Sequence, residues 1–194
     1  MISLIDYGAG NLKSVANALD DLNVNYNITN KSEEINASDK IIFPGVGEAA
    51  SAMEKLKEKN IVESIISTQK PLLGICLGMQ LLTTFSEERN TNCLDIITTT
   101  VKQFDSSKVK VPHMGWNKIE YHNQNKLFKN VESGEHFYFA NSFYVPITEY
   151  TIATTEYGIN FSSAINKNNF WGVQFHPEKS GKAGLQVLKN FIEL

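Results

Sequence analysis

The fold is decided by the stretch LLGICLG, residues 72–78, in which an apolar run gives way to a helical pattern. The apolar run at 72–75 predicts a buried strand, and the pattern from about 78 to 85 predicts a helix. Gly74 and Gly78 flank a sharp turn in which a larger side chain would clash. A strand, a tight turn and a helix around Cys76 are typical of a nucleophile elbow, which lifts the side chain out of the sheet.

The same alternation of strand and helix extends on both sides of this stretch. Strands are predicted at 2–5, 26–28 and 40–43, and helical patterns at 12–22, 53–56 and 61–66. Strands that alternate with helices predict a parallel sheet covered on both faces. The first half of the chain therefore predicts an α/β fold.

The second half of the chain has a different pattern. β-Branched and aromatic runs predict mixed or antiparallel strands at 96–101, 137–139, 151–154, 161–165 and 171–175. A helix with one apolar face is predicted at 181–192. With 194 residues and 42% hydrophobic content, the chain predicts one domain over residues 1–194.

Composition excludes several classes of function. The formal net charge is -3, and the charges are scattered, so the concentrated basic surface of a nucleic-acid-binding protein is missing. No run approaches the roughly 18 apolar residues of a membrane span. The first residues, MISLID, do not resemble a signal peptide, so we expect a cytoplasmic protein. Cys76 and Cys93 are then expected to be reduced thiols.

Cys76 has the local setting of an activated thiol. The helix that follows contributes unpaired N–H groups and the positive end of its dipole, which favour a thiolate. The amide of Leu77 would point towards an oxyanion formed on an attacked carbonyl. The motif alone leaves open a structural cysteine packed between two glycines.

A thiolate nucleophile needs a base, and His176 is the candidate. It follows a predicted strand and precedes Pro177 and Glu178. Pro177 favours an extended backbone at His176, so Glu178 can reach one ring nitrogen while the other faces the sulfur. A His-Pro-Glu sequence alone is more often a surface turn. The other histidines have no metal-ligand spacing, so no metal is expected; they are His113, His122 and His136.

The run PGVG, residues 44–47, follows a predicted strand. Its glycines allow positive φ and a close approach to a ligand, so its amides, that of Val46 among them, could complete an oxyanion hole. An ordinary turn remains an alternative, whereas a phosphate-binding loop lacks its lysine and hydroxyl residue. The turn DYGAGN, residues 6–11, lacks the full dinucleotide fingerprint, so no cofactor is expected.

The order of oxyanion loop, cysteine elbow and His-x-Glu resembles that of the class I glutamine amidotransferases. The segments PHMGWN (112–117), DYGAGN (6–11) and HPEKS (176–180) resemble the glutaminase subunits of imidazole glycerol phosphate synthases. The resemblance covers essentially the whole chain. It implies a three-layer, flavodoxin-like fold with a mostly parallel central sheet, flanking helices and additional antiparallel strands in the second half.

The resemblance also implies a reaction. Glutamine would be hydrolysed to glutamate and ammonia through a thioester on Cys76, with His176 as base and Glu178 orienting it. Ammonia would pass through a channel to a separate (β/α)8-barrel cyclase subunit. That partner would make imidazole glycerol phosphate and aminoimidazole carboxamide ribotide in histidine biosynthesis.

The family's binding residues carry over onto matching positions of this sequence. The residues expected to bind glutamine are Gly45, Gly47, Gln80, Glu88 and Ser142. The residues expected at the cyclase interface are Met114, Trp116, Asn117 and Lys179. The sequence departs from the family at Asn141 and Phe143, which flank Ser142, and at Glu48-Ala49 after the oxyanion loop.

Two other functions remain open. One is a glutaminase subunit that supplies another synthase. The other is a non-catalytic module that uses Cys76 as a sensor or binding group. His176 and Glu178 speak against a sensor, which needs neither of them.

Overall fold

The computed structural model describes residues 1–8, 11–121 and 125–194. The turn residues Ala9 and Gly10 and the histidine His122 lie outside the described residues. The strands are β1 (Ile2–Ile5), β2 (Tyr26–Thr29), β3 (Lys40–Gly45), β4 (Leu72–Cys76), β5 (Thr83–Ser86), β6 (Thr91–Asn92), β7 (Ile97–Gln103), β8 (His113–Lys118), β9 (His136–Asn141), β10 (Phe143–Tyr144), β11 (Thr151–Glu156), β12 (Asn160–Lys167) and β13 (Phe170–Val173). The helices are α1 (Leu12–Asp21), α2 (Ser32–Ala37), α3 (Ala49–Glu58), α4 (Val62–Ile66), α5 (Leu77–Leu81) and α6 (Gly181–Glu193).

The central feature is a seven-stranded sheet with the order β11-β12-β13-β4-β3-β1-β2. The five strands β13, β4, β3, β1 and β2 are parallel to one another. The strands β11 and β12 extend this sheet in antiparallel fashion. The predicted α/β fold with antiparallel strands in the second half is thus confirmed.

Two smaller β-structures lie outside the central sheet. One has four strands in the order β10-β7-β5-β6, and the other is the antiparallel pair of β8 and β9. The strand β8 contains most of the PHMGWN segment, which the sequence identified only as a motif. The pair β8 and β9 becomes important because β9 passes close to Cys76.

Apolar side chains cover both faces of the central sheet. In β3, Ile41 and Phe43 belong to one buried cluster and Ile42 to the other, as expected from the alternation of side chains along a strand. Leu56 of α3 packs in the first cluster, and Phe191 of α6 packs in the second. The result is a sheet between two helical layers. Among the described residues, no helix is long and apolar enough to cross a membrane.

The helix after Cys76 is shorter than the sequence predicted. The pattern indicated a helix over 78–85, but α5 ends at Leu81 and Thr83–Ser86 form β5. In so short a run, the spacing of apolar residues is compatible with a helix or a strand. The β-branched Thr83 and Thr84 favour a strand. Pairing of β5 with β6 and β7 decides the outcome.

Two strand boundaries also differ from prediction. The strand β3 continues through Gly45, which lies opposite Cys76 in β4, so half of the predicted PGVG turn is strand. The strand β13 ends at Val173 instead of 175. His176 therefore lies beyond the strand end, where its N–H donates to the carbonyl of Tyr138 in β9 at 2.8 Å.

The turn at the elbow requires glycine because α5 packs against the backbone of β3. A Cβ atom at Gly78 would lie 1.9 Å from the carbonyl oxygen of Phe43. A Cβ at Gly74 would lie 2.7 Å from the amide nitrogen of Met79. Both contacts involve backbone atoms, which cannot move aside without shifting the strand or the helix.

We expect Gly78→Ala to lower the free energy of unfolding by about 3 kcal/mol or more, because the added methyl group overpacks a buried backbone contact. Urea unfolding of the purified chain measures this. Gly134→Ala is the matched control, because its Cβ would meet no atom within 4 Å, although its φ is +94°. The control should cost about 1 kcal/mol. Equal losses in the two variants would contradict the close contact.

Candidate active site

Cys76 is held in a strained backbone conformation at the end of β4. Its φ is 53° and its ψ is -109°, a combination that non-glycine residues rarely adopt. The helix α5 begins at the next residue, Leu77. The Cys76 side chain is buried at 6% exposure, and its sulfur lies 3.9 Å from the carbonyl oxygen of Ala140. The sequence prediction of a nucleophile elbow matches this geometry.

His176 and Glu178 form a buried pair. His176 Nδ1 and Glu178 Oε1 are 2.8 Å apart, and their side chains are 3% and 1% exposed. The carbonyl of His176 accepts a hydrogen bond from Ser180 Oγ at 2.6 Å, which together with the bond to Tyr138 fixes the backbone. His176 has the extended backbone that the sequence predicted, with φ -97° and ψ 96°, but Glu178 reaches the ring through a 3-10 turn over Pro177–Lys179 and not through a continuing extended segment.

The charges around His176 favour its protonated form. Burial lowers the pKa of His176, but its interactions with Cys76 and Glu178 outweigh that effect and raise the pKa to about 10. Because Nδ1 faces Glu178, Nε2 is the nitrogen left to exchange a proton with the sulfur. The arrangement can therefore hold a thiolate beside an imidazolium, which is an activated nucleophile.

A cleft of about 290 Å³ opens over Cys76 and His176. Most of the residues that the sequence predicted to bind substrate, oxyanion or partner line it, namely Val46, Gly47, Leu77, Gln80, Glu88, Met114, Ser142 and Lys179. Gly45 and Glu178 lie behind its wall, and Trp116 and Asn117 lie outside it. A larger cavity, of about 530 Å³, lies beside Tyr121 and Lys129, but no cysteine or histidine is among the described residues that line it.

The PGVG loop forms one side of the cleft. A Cβ at Gly45 would lie 2.7 Å from Tyr7 Oη and 2.8 Å from the amide nitrogen of Gly78, so only glycine fits between the loop and the elbow. Gly47 has φ +100° and open space around it. Burial, and then the charge on Cys76, raise the pKa of Tyr7, which keeps its hydroxyl protonated under the loop.

Glu88 and Glu48 connect the loop to the neighbouring 3-10 turn, Glu88–Asn90. Glu88 Oε2 accepts a hydrogen bond at 2.7 Å from the amide of Ala49, the first residue of α3. Arg89 Nη1 contacts both carboxylate oxygens of Glu48 at 2.8 and 3.0 Å. Burial raises the pKa of Glu88, and the hydrogen bond from Ala49 opposes that effect. The departure from the family at Glu48-Ala49 thus creates an ion pair beside a predicted substrate-binding residue.

The second departure, around Ser142, is accommodated by polar contacts within the chain. Asn141 Nδ2 and Gln80 Nε2 both donate to the carbonyl of Phe143, at 2.8 and 3.0 Å. The Ser142 carbonyl accepts from the amide of Phe104 at 3.1 Å. The backbone at Ser142 therefore lines the cleft in an ordered segment. Gln80, however, uses its nitrogen inside the protein, so only its oxygen is left for a ligand.

The predicted interface residues fall into two groups. Met114 and Trp116 project from β8 and are 65% and 57% exposed, so Trp116 is not a core residue. The Trp116 and Lys179 side chains both contact the Tyr138 ring, with distances of 6.2 Å between the Trp116 and Tyr138 ring centroids and 5.7 Å from Lys179 Nζ to the Tyr138 centroid. Asn117 instead forms a hydrogen bond within the chain, in which its Nδ2 donates to the carbonyl of Glu156 at 2.9 Å.

Gln174 was not identified by the sequence argument. It is fully buried, and its Nε2 lies 3.6 Å from Cys76 Sγ. Its sequence signal is a polar residue between the apolar Val173 and Phe175, two residues before His176. Such a residue is expected to need a buried hydrogen-bond partner.

His113 and Cys93 lie apart from this chemistry. His113 stacks on Tyr157 with ring centroids 3.9 Å apart, and burial lowers its pKa to about 4. Burial raises the pKa of Cys93 to about 11. Within residues 1–8, 11–121 and 125–194, no group of three or more candidate ligands could hold a metal ion.

Comparisons with known proteins agree with the geometry. The family profile "Glutamine amidotransferase class-I" matches residues 3–194. The chain is 50% identical over 195 residues to the imidazole glycerol phosphate synthase subunit HisH of Bacteroides fragilis (strain YCH46), with 100% of this chain and 99% of that one covered. It is 46% identical over 190 residues to the HisH subunit of Mannheimia succiniciproducens, with 98% of each chain covered.

A solved structure of a glutamine amidotransferase superposes with a TM-score of 0.77 at 16% identity, covering 100% of this chain and 98% of that one. At this identity the likeness shows the fold alone. The family profile and the relatives carry the assignment further. The chain therefore belongs to the class-I glutamine amidotransferases and, within them, to the family of imidazole glycerol phosphate synthase HisH subunits.

Proposed function

We propose that this chain hydrolyses glutamine to glutamate and ammonia, and that it supplies the ammonia to a cyclase subunit in histidine biosynthesis. The observation that carries the proposal is that Cys76 and His176 line one cleft, and that Glu178 pairs with His176 from behind its wall. The synthase named in its relatives supports the assignment to imidazole glycerol phosphate synthesis.

The chemistry proceeds in two half-reactions. The thiolate of Cys76 attacks the side-chain carbonyl carbon of glutamine, and the oxygen takes up the negative charge near the amides of Val46 and Leu77. The carbon–nitrogen bond then breaks as His176 donates a proton to the leaving ammonia, which leaves a thioester. Neutral His176 next removes a proton from water, which attacks the thioester and releases glutamate and the Cys76 thiolate.

Glutamine is proposed to lie along the cleft with its amino-acid end away from Cys76. The backbone of Gly47 and Ser142 would contact it, with Gly45 supporting the loop from behind. Glu88 retains one carboxylate oxygen for the substrate ammonium, since the other accepts from Ala49. The free oxygen of Gln80 would bind the same end.

The partner is proposed to be a (β/α)8-barrel cyclase that docks on β8 and the rim of the cleft. Met114, Trp116 and Lys179 would contact it, with Trp116 as the central anchor. Asn117 would support the interface by holding β8 through its bond to Glu156. We further propose that residues 1–194 form a single glutamine amidotransferase type 1 domain and that the protein works in the cytoplasm, where Cys76 stays reduced.

The nearest rival is a glutaminase subunit of another synthase, which would share Cys76, His176 and Glu178. The segment PHMGWN and the HisH relatives favour the histidine pathway. A non-catalytic cysteine sensor is disfavoured because a sensor has no use for a buried base and its carboxylate. Delivery of ammonia only to an acceptor outside histidine biosynthesis would favour the rival enzyme.

Glutamate release should be low for the chain alone and strongly stimulated when the cyclase and its substrate are added. We expect Cys76→Ala to reduce the stimulated rate by at least about 1,000-fold, because no other thiol lies in the cleft. Cys93→Ser is the matched control and should retain the rate. Cyclase turnover with added ammonium salt should survive in the Cys76→Ala complex. Glutamine hydrolysis that persists in this variant would rule out the thioester.

We expect Glu178→Gln to lower kcat of the complex by about 100-fold or more with little change in KM, because the imidazolium of His176 loses its counter-charge. Steady-state assays of the complex measure this. Glu193→Gln, an exposed carboxylate on α6, is the control and should leave both constants unchanged. A normal kcat in Glu178→Gln would show that the buried pair is not catalytic.

The same variant should also change how stability depends on pH. The pKa of His176 is raised from 6.5 to about 10, so its charged form stabilises the fold fully below about pH 6.5, and this stabilisation is lost as pH rises through 10. Glu178→Gln removes one of the groups that raise this pKa. Its loss of stability, measured by urea unfolding, should therefore be larger near pH 6 than near pH 10.

We expect Trp116→Ala to raise the dissociation constant of the complex with the cyclase by about 30-fold or more, equivalent to about 2 kcal/mol, because it removes a large exposed aromatic anchor. Titration calorimetry of the two purified subunits measures this. Ile28→Ala is the control, since Ile28 is 48% exposed but lies on the edge strand β2. Equal affinities for the two variants would place the interface elsewhere.

A further inference from the structure

Gln174 makes a contact that the mechanism above does not use. Its side chain is fully buried and lies against the sulfur of Cys76, with 3.6 Å between Nε2 and Sγ. That distance suits a hydrogen bond to sulfur, because the larger sulfur atom lengthens the contact relative to one with oxygen. Gln174 does not line the cleft, so it touches the nucleophile from the protein side and not from the substrate side.

The orientation of the Gln174 amide follows from its other partner. The carbonyl of Phe143 can only accept, so the group of Gln80 that lies 3.0 Å from it must be the nitrogen. This nitrogen also lies 2.9 Å from Gln174 and therefore donates to the Gln174 oxygen. Gln174 must then turn its NH₂ group towards the sulfur. The chain of bonds from Phe143 through Gln80 leaves Cys76 as the acceptor.

A donor at this place has a specific effect on the sulfur. The carbonyl oxygen of Ala140, 3.9 Å from the sulfur, can accept from a thiol but repels a thiolate. A hydrogen bond from an amide to a charged acceptor favours the charged form. Gln174 therefore opposes the effect of the Ala140 carbonyl, and it does so before substrate binds.

We propose that Gln174 is a further catalytic residue that donates a hydrogen bond to the Cys76 thiolate and holds the sulfur for attack. The proposal rests on glutamine hydrolysis at Cys76, as proposed above. Gln80 acts in it as a positioning residue, because its nitrogen fixes the direction of the Gln174 amide.

Other charged or titratable groups also face the sulfur or its cleft. His176 lies beside Cys76, burial and the charge on Cys76 raise the pKa of Tyr7, and Lys179 and Glu88 also line the cleft. A test of Gln174 must therefore leave these four groups unchanged and read the protonation of the sulfur itself. The chain allows this because it contains only two cysteines.

The experiment is alkylation of Cys76 by iodoacetamide across a pH series, followed by intact mass, in a Cys93→Ser background. We expect Gln174→Met, which keeps the length but has no donor, to move the pH midpoint of alkylation upward by about one unit. At a fixed pH below the midpoint, the rate should fall by about three-fold, because the lower thiolate fraction is partly offset by higher nucleophilicity. The midpoint is the deciding quantity, since altered access changes the rate but not the midpoint.

Two further variants check this result: a second substitution of Gln174 and a control elsewhere in the chain. Gln174→Glu keeps the shape but places a carboxylate oxygen against the sulfur, so it should move the midpoint at least as far upward. Gln186→Met makes the same chemical change on α6, where Gln186 donates to Asn190 and to no other described residue, and should leave the midpoint unchanged. Thermal unfolding checks that each variant is folded.

An unchanged midpoint in either folded Gln174 variant would overturn the proposal. In the complex with the cyclase, Gln174→Met should lower kcat for glutamine hydrolysis by about ten-fold with KM retained, whereas a purely structural role would reduce stability without moving the midpoint. Failure of the proposed function would look different. The unmodified complex would then release no glutamate, although the midpoints of the Cys76 profiles would still differ between Gln174 variants.

Discussion

The backbone at Cys76 has φ of 53°, and the catalytic apparatus depends on keeping it there. An L-residue in this conformation is strained, and such strain persists only where the surroundings determine it fully. Here Gly78 packs against the carbonyl of Phe43 so closely that no Cβ fits, and a Cβ at Gly45 would lie 2.8 Å from the amide nitrogen of Gly78. The parallel pairing of β3 with β4 supplies these contacts. The strain at one residue is thus maintained by the packing of the central sheet.

The second constraint is electrostatic, because the site contains charges in a largely buried setting. His176 and Glu178 have side chains that are at most 3% exposed, so neither can rely on water for stabilisation. Each is instead placed against a polar neighbour: Glu178 Oε1 lies 2.8 Å from His176 Nδ1, and Gln174 Nε2 lies 3.6 Å from the Cys76 sulfur. In the proposed mechanism these contacts are in place before the substrate arrives, as in preorganised sites that lower reaction barriers.

The same residues connect the site to its surroundings. The carbonyl of Tyr138 in β9 accepts a hydrogen bond from the amide of His176. The strand β9 pairs along its length with β8, from which Trp116 projects. On the other side of the cleft, the bond between Glu88 and Ala49 joins a predicted substrate residue to the start of α3 just after the oxyanion loop. A partner that bound β8, as proposed, would therefore contact a structure that is hydrogen-bonded to His176.

The sequence by itself determined the parallel half of the sheet, the elbow at Cys76 and the pairing of His176 with Glu178. These features depend on local patterns, in which glycine spacing, apolar periodicity and a short tripeptide carry the information. Tertiary structure decided the rest. The short α5 follows from the pairing of β5, and the contact of Gln174 with Cys76 joins residues that are 98 positions apart. The ion pair of Glu48 with Arg89 likewise spans 41 positions. Such contacts exist only once strands far apart in sequence are paired in register, and no local pattern specifies them.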